Sequence, residues 1–87
     1  MNNTEMIQQA IKVKIEKHSA SIKKMNDEAI KLATENRSPK ILHSKYNANA
    51  AQIHRLEKDI EHLCCVLKTL RGVEAMIDNI ILNGGAE

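Results

Sequence analysis

The fold is decided by residues 38–70, which read SPKILHSKYNANAAQIHRLEKDIEHLCCVLKTL. Ser38 is a favoured N-cap residue and proline is accepted at the first helical position, so the sequence predicts a helix from Pro39 onward. Mostly apolar residues then recur at alternating intervals of four and three positions, at Leu42, Tyr46, Asn49, Ile53, Leu56, Ile60, Leu63, Leu67 and Leu70. This heptad spacing is typical of a coiled-coil seam, which requires a partner helix.

The preceding residues supply that partner. A similar stripe runs through Ile7, Ile11, Ile15, His18, Ile22, Met25, Ala29 and Leu32. Residues 35–39, ENRSP, break the pattern, and so short a connection favours antiparallel neighbours. The sequence therefore predicts one all-α domain, an antiparallel helical hairpin, with helix 1 over about residues 4–35, a turn at 36–38 and helix 2 over about 39–71.

The position of the turn sets which residues of the two helices lie side by side. A turn at 36–38 pairs Ala29 with Tyr46, Met25 with Asn49, His18 with Leu56 and Thr4 with Leu70. Asn49 and His18 are the polar members of the seam, and we expect both to set the register, as a seam Asn commonly does. His18 is expected to bond to a neighbour rather than to act as a pH switch or a ligand.

The last third of the chain departs from a simple hairpin. Gly72 either ends helix 2 or only softens it, and apolar residues continue as far as Leu82. In the register above, helix 1 has ended before it reaches residues 73–82. We expect them to form a short third helix or a helical C-terminal extension that buries against another chain. The predicted interface consists of Val66, Leu70, Val73, Met76, Ile77, Ile80 and Ile81.

Composition points to a thin protein that works with a partner. The 87 residues carry a net charge of +2 and include one Tyr but neither Phe nor Trp, so little side-chain area is available for a core. Self-association into a dimer or larger bundle, or binding to a protein client, is expected. The sequence contains no long apolar run and no signal peptide pattern. Cys64 and Cys65 are adjacent and form no disulfide framework. These features predict a cytoplasmic location.

Charged side chains flank the seam. Lys17, Lys24 and Lys31 form a column on helix 1, and we expect them to be solvated and to pair with Glu57 and Glu61 of helix 2. The near-neutral charge and the shortage of stacking aromatic residues argue against nucleic-acid binding by this column.

Little in the sequence suggests chemistry. Two residue pairs have the spacing of metal ligands on a helix, namely His54 with Glu57 and Asp59 with His62. Metal ligands of helical bundles project into the core, whereas these positions lie outside the seam. His62 and the two cysteines point to different sides of the helix, and no glycine-rich phosphate loop is present. We therefore expect no metal, no cofactor and no enzymatic activity.

One family resemblance is visible in the second helix. Tyr46 stands early in it, and Leu56-Glu57 is followed by Ile60, over about thirty residues of matching pattern. This arrangement resembles the small helical-hairpin co-chaperones that hold needle subunits of type III secretion systems. The resemblance implies a cytoplasmic chaperone subunit in a heteromeric complex.

The leading functional prediction is a non-catalytic interaction protein, either an adaptor or a small chaperone subunit. One alternative is a small inhibitor encoded by a mobile element, which blocks a host enzyme by occupying its surface. The other is a nucleic-acid-associated accessory factor, whose binding would fall steeply with salt.

Overall fold

The computed structural model describes residues 2–83 and contains two long helices that pack against each other. Helix α1 spans Asn3–Asn36 and helix α2 spans His43–Leu82. No strand occurs within residues 2–83. The predicted all-α class with two long paired helices is confirmed.

Helix α1 begins and ends close to the predicted positions, and local hydrogen bonds explain both ends. Asn2 is the N-cap, and its side-chain oxygen accepts a hydrogen bond of 2.8 Å from the backbone N–H of Glu5. At the other end the N–H of Arg37 donates to the carbonyl of Thr34 at 3.1 Å. This shorter-range bond tightens the last turn and closes the helix.

The connection is longer than predicted, and helix α2 begins at His43 instead of Pro39. The N–H of Ile41 donates to the carbonyl of Ser38 at 3.3 Å, so residues 38–41 form a turn with Pro39 in its second position. Proline favours that position because its φ is already fixed at the required value. The Ser38-Pro39 pair is therefore a turn signal, and interpreting it as the start of a helix was wrong.

The two helices are displaced by about three turns relative to the predicted register, and the later start of α2 accounts for about one of them. Asn49 lies beside Glu35 and Asn36 rather than beside Met25. Near the other end, the side-chain amide of Gln8 donates to the carboxylate of Asp78. The antiparallel order is retained, but the predicted pairs Ala29–Tyr46, Met25–Asn49, His18–Leu56 and Thr4–Leu70 are wrong.

The new register gives residues 73–82 a place on the hairpin. They continue α2 without a break at Gly72 and run alongside the first turns of α1. The third helix is absent from the described part of the chain, and the prediction that this segment has no intramolecular partner is wrong. Its helical extension is confirmed.

The hairpin is a thin rod with extents of 66 × 18 × 14 Å. Leu56 and Leu67, each 6% exposed, are its buried apolar residues, and the rest of the seam is half-buried. The predicted seam positions Leu42, Tyr46 and Ile7 are exposed, the first two because the seam of α2 begins only at Asn49. Neither helix, as far as residues 2–83 show, is long and apolar enough to cross a membrane.

Candidate interaction surfaces

The end of the rod next to the connection is closed by polar side chains, which we call the turn-end cluster: Glu35, Asn36, Lys45 and Asn49. The amide nitrogen of Asn49 donates to a carboxylate oxygen of Glu35 at 3.1 Å and to the side-chain oxygen of Asn36 at 3.0 Å. The Lys45 ammonium lies 3.0 Å from the same Glu35 oxygen. The side chain of Asn49 is buried, and these two bonds use both of its donor hydrogens.

The charge of Glu35 is stabilised within this cluster. The hydrogen bond from Asn49, followed by that from Lys45, lowers the pKa of the Glu35 carboxyl below its ordinary value. Because the pKa of Glu35 is lower in the folded protein, its ionised carboxylate stabilises the fold. This contribution is complete at pH values above the ordinary carboxyl pKa. It is lost as the pH falls through the lowered pKa of the folded protein. The turn end is therefore held more firmly at neutral pH than in acid.

The two residues predicted to set the register differ in what they contact. Asn49 is buried in the seam and bonded across the helices, which is the geometry that fixes a register. His18 is half-buried in the seam, but its side chain makes no hydrogen bond to any residue within 2–83. The neighbour expected for His18 is thus not found.

The predicted interface residues separate into two groups. Val66, Leu70 and Ile77 are half-buried, and the seam spacing turns Leu70 and Ile77 toward α1. Val73, Met76, Ile80 and Ile81 are exposed, with Met76 66% and Ile80 54% accessible. These four residues lie near the end of the rod away from the connection, which we call the open end.

Helix α1 adds apolar surface at the open end that the sequence reading missed. Ile7 is 53% exposed, although it was assigned to the seam, and Gln8 occupies the seam instead. The signal was present, because Ile7, Ile11 and Ile15 are separated by two successive intervals of four. The alternation of three and four that the rest of the seam follows leads back from Ile11 to Gln8.

Three exposed apolar residues of the two helices, Ile7, Val73 and Ile80, lie along one edge of the seam. Lys45 and Glu35 contact each other, and residues at multiples of seven from them lie on the same side of their helices. From Lys45 that series reaches Val73 and Ile80, and from Glu35 it reaches Ile7. Ile7 therefore faces Val73 and Ile80 across the helix pair.

We call this surface the open-end patch and define it as Ile7, Ala10, Val73, Met76 and Ile80. Ala10 and Met76 follow Ile7 and Val73 by one helical step of three residues and extend the same side. All five are exposed. The patch is apolar on both helices, and exposed Met6 and Val13 flank it on α1.

Between the two ends, the same edge forms a shallow groove of about 450 Å³, lined by Ser21, Lys24, Met25, Asp59, His62 and Leu63. No three His, Cys, Asp or Glu side chains in residues 2–83 converge as metal ligands, here or elsewhere. Cys64 and Cys65 are free and exposed.

The lysine column lies on this edge but does not find the predicted acids. Lys45–Glu35 is the ion pair found within residues 2–83, and Lys17, Lys24 and Lys31 make none. Glu57 and Glu61 fall on the opposite edge of α2, because neither belongs to the series that contains Lys45 and Asp59. The predicted pairing with Glu57 and Glu61 is wrong, whereas the three lysines are exposed to solvent, as predicted.

Comparisons of the chain with protein-family models, curated proteins and solved structures find no match.

Proposed function

We propose that the protein is a non-catalytic protein–protein interaction module, a small adaptor or chaperone subunit that binds through the open-end patch. The observation that carries this proposal is the exposure of Ile7, Met76 and Ile80 on one face, each more than half accessible to solvent. Such a surface is unfavourable in water unless something covers it.

The surface area of the whole molecule supports this proposal. The chain exposes 6815 Å², whereas a compact monomer of this mass exposes about 5,200 Å². The excess arises because two helices in a thin rod shield each other on one side only. An interaction that covers one side of the rod would bring the exposed area closer to that of an ordinary domain.

The resemblance to needle-subunit co-chaperones agrees with this proposal in its general form. In those proteins a helical hairpin holds a needle subunit, and here Leu56 is a buried seam residue and Glu57 an exposed one. If the resemblance extends to function, the client is a needle subunit of a secretion system and the complex forms in the cytoplasm.

The test compares three tagged proteins in the cells that make this chain: the wild type, the double variant Met76→Asp with Ile80→Asp, and a matched control. The control, Ile30→Asp with Leu42→Asp, places the same two charges on exposed apolar residues away from the patch. Circular dichroism first establishes that all three remain helical. Proteins co-purifying with each are then identified by mass spectrometry.

We expect one partner to co-purify with the wild type and the control and to be lost from the patch variant. Equal recovery by the patch variant would contradict the proposal. Recovery of nucleic acid instead, with binding that falls steeply as salt rises, would support the accessory-factor alternative.

A further inference from the structure

We infer that the open-end patch binds the same patch on a second copy of this chain, in an end-to-end dimer whose turn ends point in opposite directions. The inference rests on the proposed function, in which the patch is an interaction surface, and adds the identity of an occupant. The spacing of the patch residues supports it, because a two-fold rotation brings patch residues of one copy opposite patch residues of the other.

A two-fold axis through Met76 places the α2 patch residues of one copy over those of the second copy. The axis lies in the plane of the interface and is perpendicular to the long axis of the rod. The two α2 helices therefore stack antiparallel. Val73 and Ile80 lie on either side of Met76 at nearly equal distances along the helix. Val73 of one copy then meets Ile80 of the second, and the two Met76 side chains meet at the axis, as an isologous interface requires.

The same axis also matches the patch residues of α1. The Gln8–Asp78 contact places Met76 at about the height of Gln8 to Ala10 on the neighbouring helix. The axis therefore passes between Ile7 and Ala10 and places the large Ile7 of one copy over the small Ala10 of the other. A large residue facing a small one is the size complementarity that close packing needs.

One like-charge contact disfavours the alternative dimer, in which two rods stack in parallel over their full length. That arrangement would place each α1 over the α2 of the second copy, with Lys31 at the height of Arg55. Like charges brought together are unfavourable. In the end-to-end arrangement the column Lys17, Lys24 and Lys31 lies outside the overlap.

The size of the patch predicts a dimer of moderate affinity. Five exposed patch residues and their flanks present on the order of 500 Å² of surface, and two such patches bury about 1,000 Å², the lower limit of specific interfaces. We therefore expect dissociation in the micromolar range rather than a permanent complex.

Sedimentation and small-angle scattering of the full chain test the arrangement. An overlap of about fourteen residues, or ~20 Å of helix, gives a dimer about 110 Å long, compared with 66 Å for a single hairpin. We expect the dimer mass and this length for the wild type and for Ile30→Asp with Leu42→Asp. Met76→Asp with Ile80→Asp should weaken association by about 100-fold or more, since four carboxylates would meet in an apolar interface.

A crosslinking experiment tests the axis without adding charge. In a Cys64→Ser, Cys65→Ser background, Met76→Cys should form a covalent dimer on mild oxidation because the axis passes through that position. The matched control is Leu82→Cys in the same background, an exposed position outside the patch, which should crosslink far more slowly.

The outcomes separate this inference from the proposed function. A wild type that stays monomeric at 100-fold above micromolar concentration, or a dimer no longer than one hairpin, would overturn the end-to-end dimer. Neither result changes whether the patch variant loses its co-purifying partner, which alone decides the proposed function.

Discussion

The two ends of the rod are stabilised in different ways. At the turn end, Asn49 and Lys45 of α2 both bond to Glu35 of α1. At the open end, one polar contact, Gln8 to Asp78, crosses the helices, and apolar side chains such as Met76 remain in solvent. The cross-helix hydrogen bonds that fix the register are concentrated at one end, while most of the exposed large apolar residues lie near the other.

The largest expected effect comes from the part of the seam that joins the two ends. Leu67→Ala removes one of two buried leucines and should lower the free energy of unfolding by about 2–5 kcal/mol, enough to melt much of a thin hairpin. Thermal unfolding followed by circular dichroism measures this. Leu82→Ala, a truncation at an exposed position, is the matched control and should change the melting temperature little. Equal losses in the two variants would mean that Leu67 is not a core residue.

An intermediate effect is expected at the turn end. Asn49→Ala removes two hydrogen bonds, one of them to the charged Glu35, and should lower the free energy of unfolding by about 1–2 kcal/mol at pH 7. Because the pKa of Glu35 is lowered, the difference from wild type should shrink as the pH falls from about 5 through that lowered value. Urea unfolding at pH 7 and pH 3 measures it. A difference that does not depend on pH would show that the Glu35 contact contributes nothing.

The smallest effect is expected in the α2 segment that leads to the open end. Gly72 is exposed within the helix, and a Cβ added there meets no heavy atom within 4 Å. Gly72→Ala should therefore raise the free energy of unfolding by about 0.5–1 kcal/mol through helix propensity alone. Chemical denaturation measures the gain. A loss instead would mean that Gly72 lies in an interface too close for a methyl group.

The sequence predicted the helices and most of the seam because heptad spacing is a local property that repeats many times. From Ile53 to Leu70 each predicted position of α2 is buried or half-buried, as the pattern requires. The register was wrong because it depended on one connection, where Ser38-Pro39 is compatible with either a helix start or a turn. A local ambiguity at Pro39 thus contributed to the displacement of every cross-helix pair.

The interface prediction shows the same dependence. Val73, Met76 and Ile80 are exposed on one side of the extension, whereas Leu70 and Ile77 lie in the seam with α1. The contribution of Ile7 was missed because Ile7 was assigned to the same stripe as Ile11 and Ile15. Stricter use of the alternation would have placed Gln8 in the seam and Ile7 outside it.

The hydrogen bonds that join the helices also imply an order in which the hairpin forms. Asn49 bonds to a residue 13 positions away, whereas the Gln8–Asp78 bond closes a loop of 70 residues. Closing the longer loop from the unfolded chain costs about 1.5 kcal/mol more in entropy. Pairing therefore starts beside the connection and proceeds outward, and the first turns of α1 and the last turns of α2 are the last to dock and the first to separate. Ile7, Val73 and Ile80 are brought onto one face only when this final step is complete, so the patch exists as a binding surface only on the fully closed hairpin.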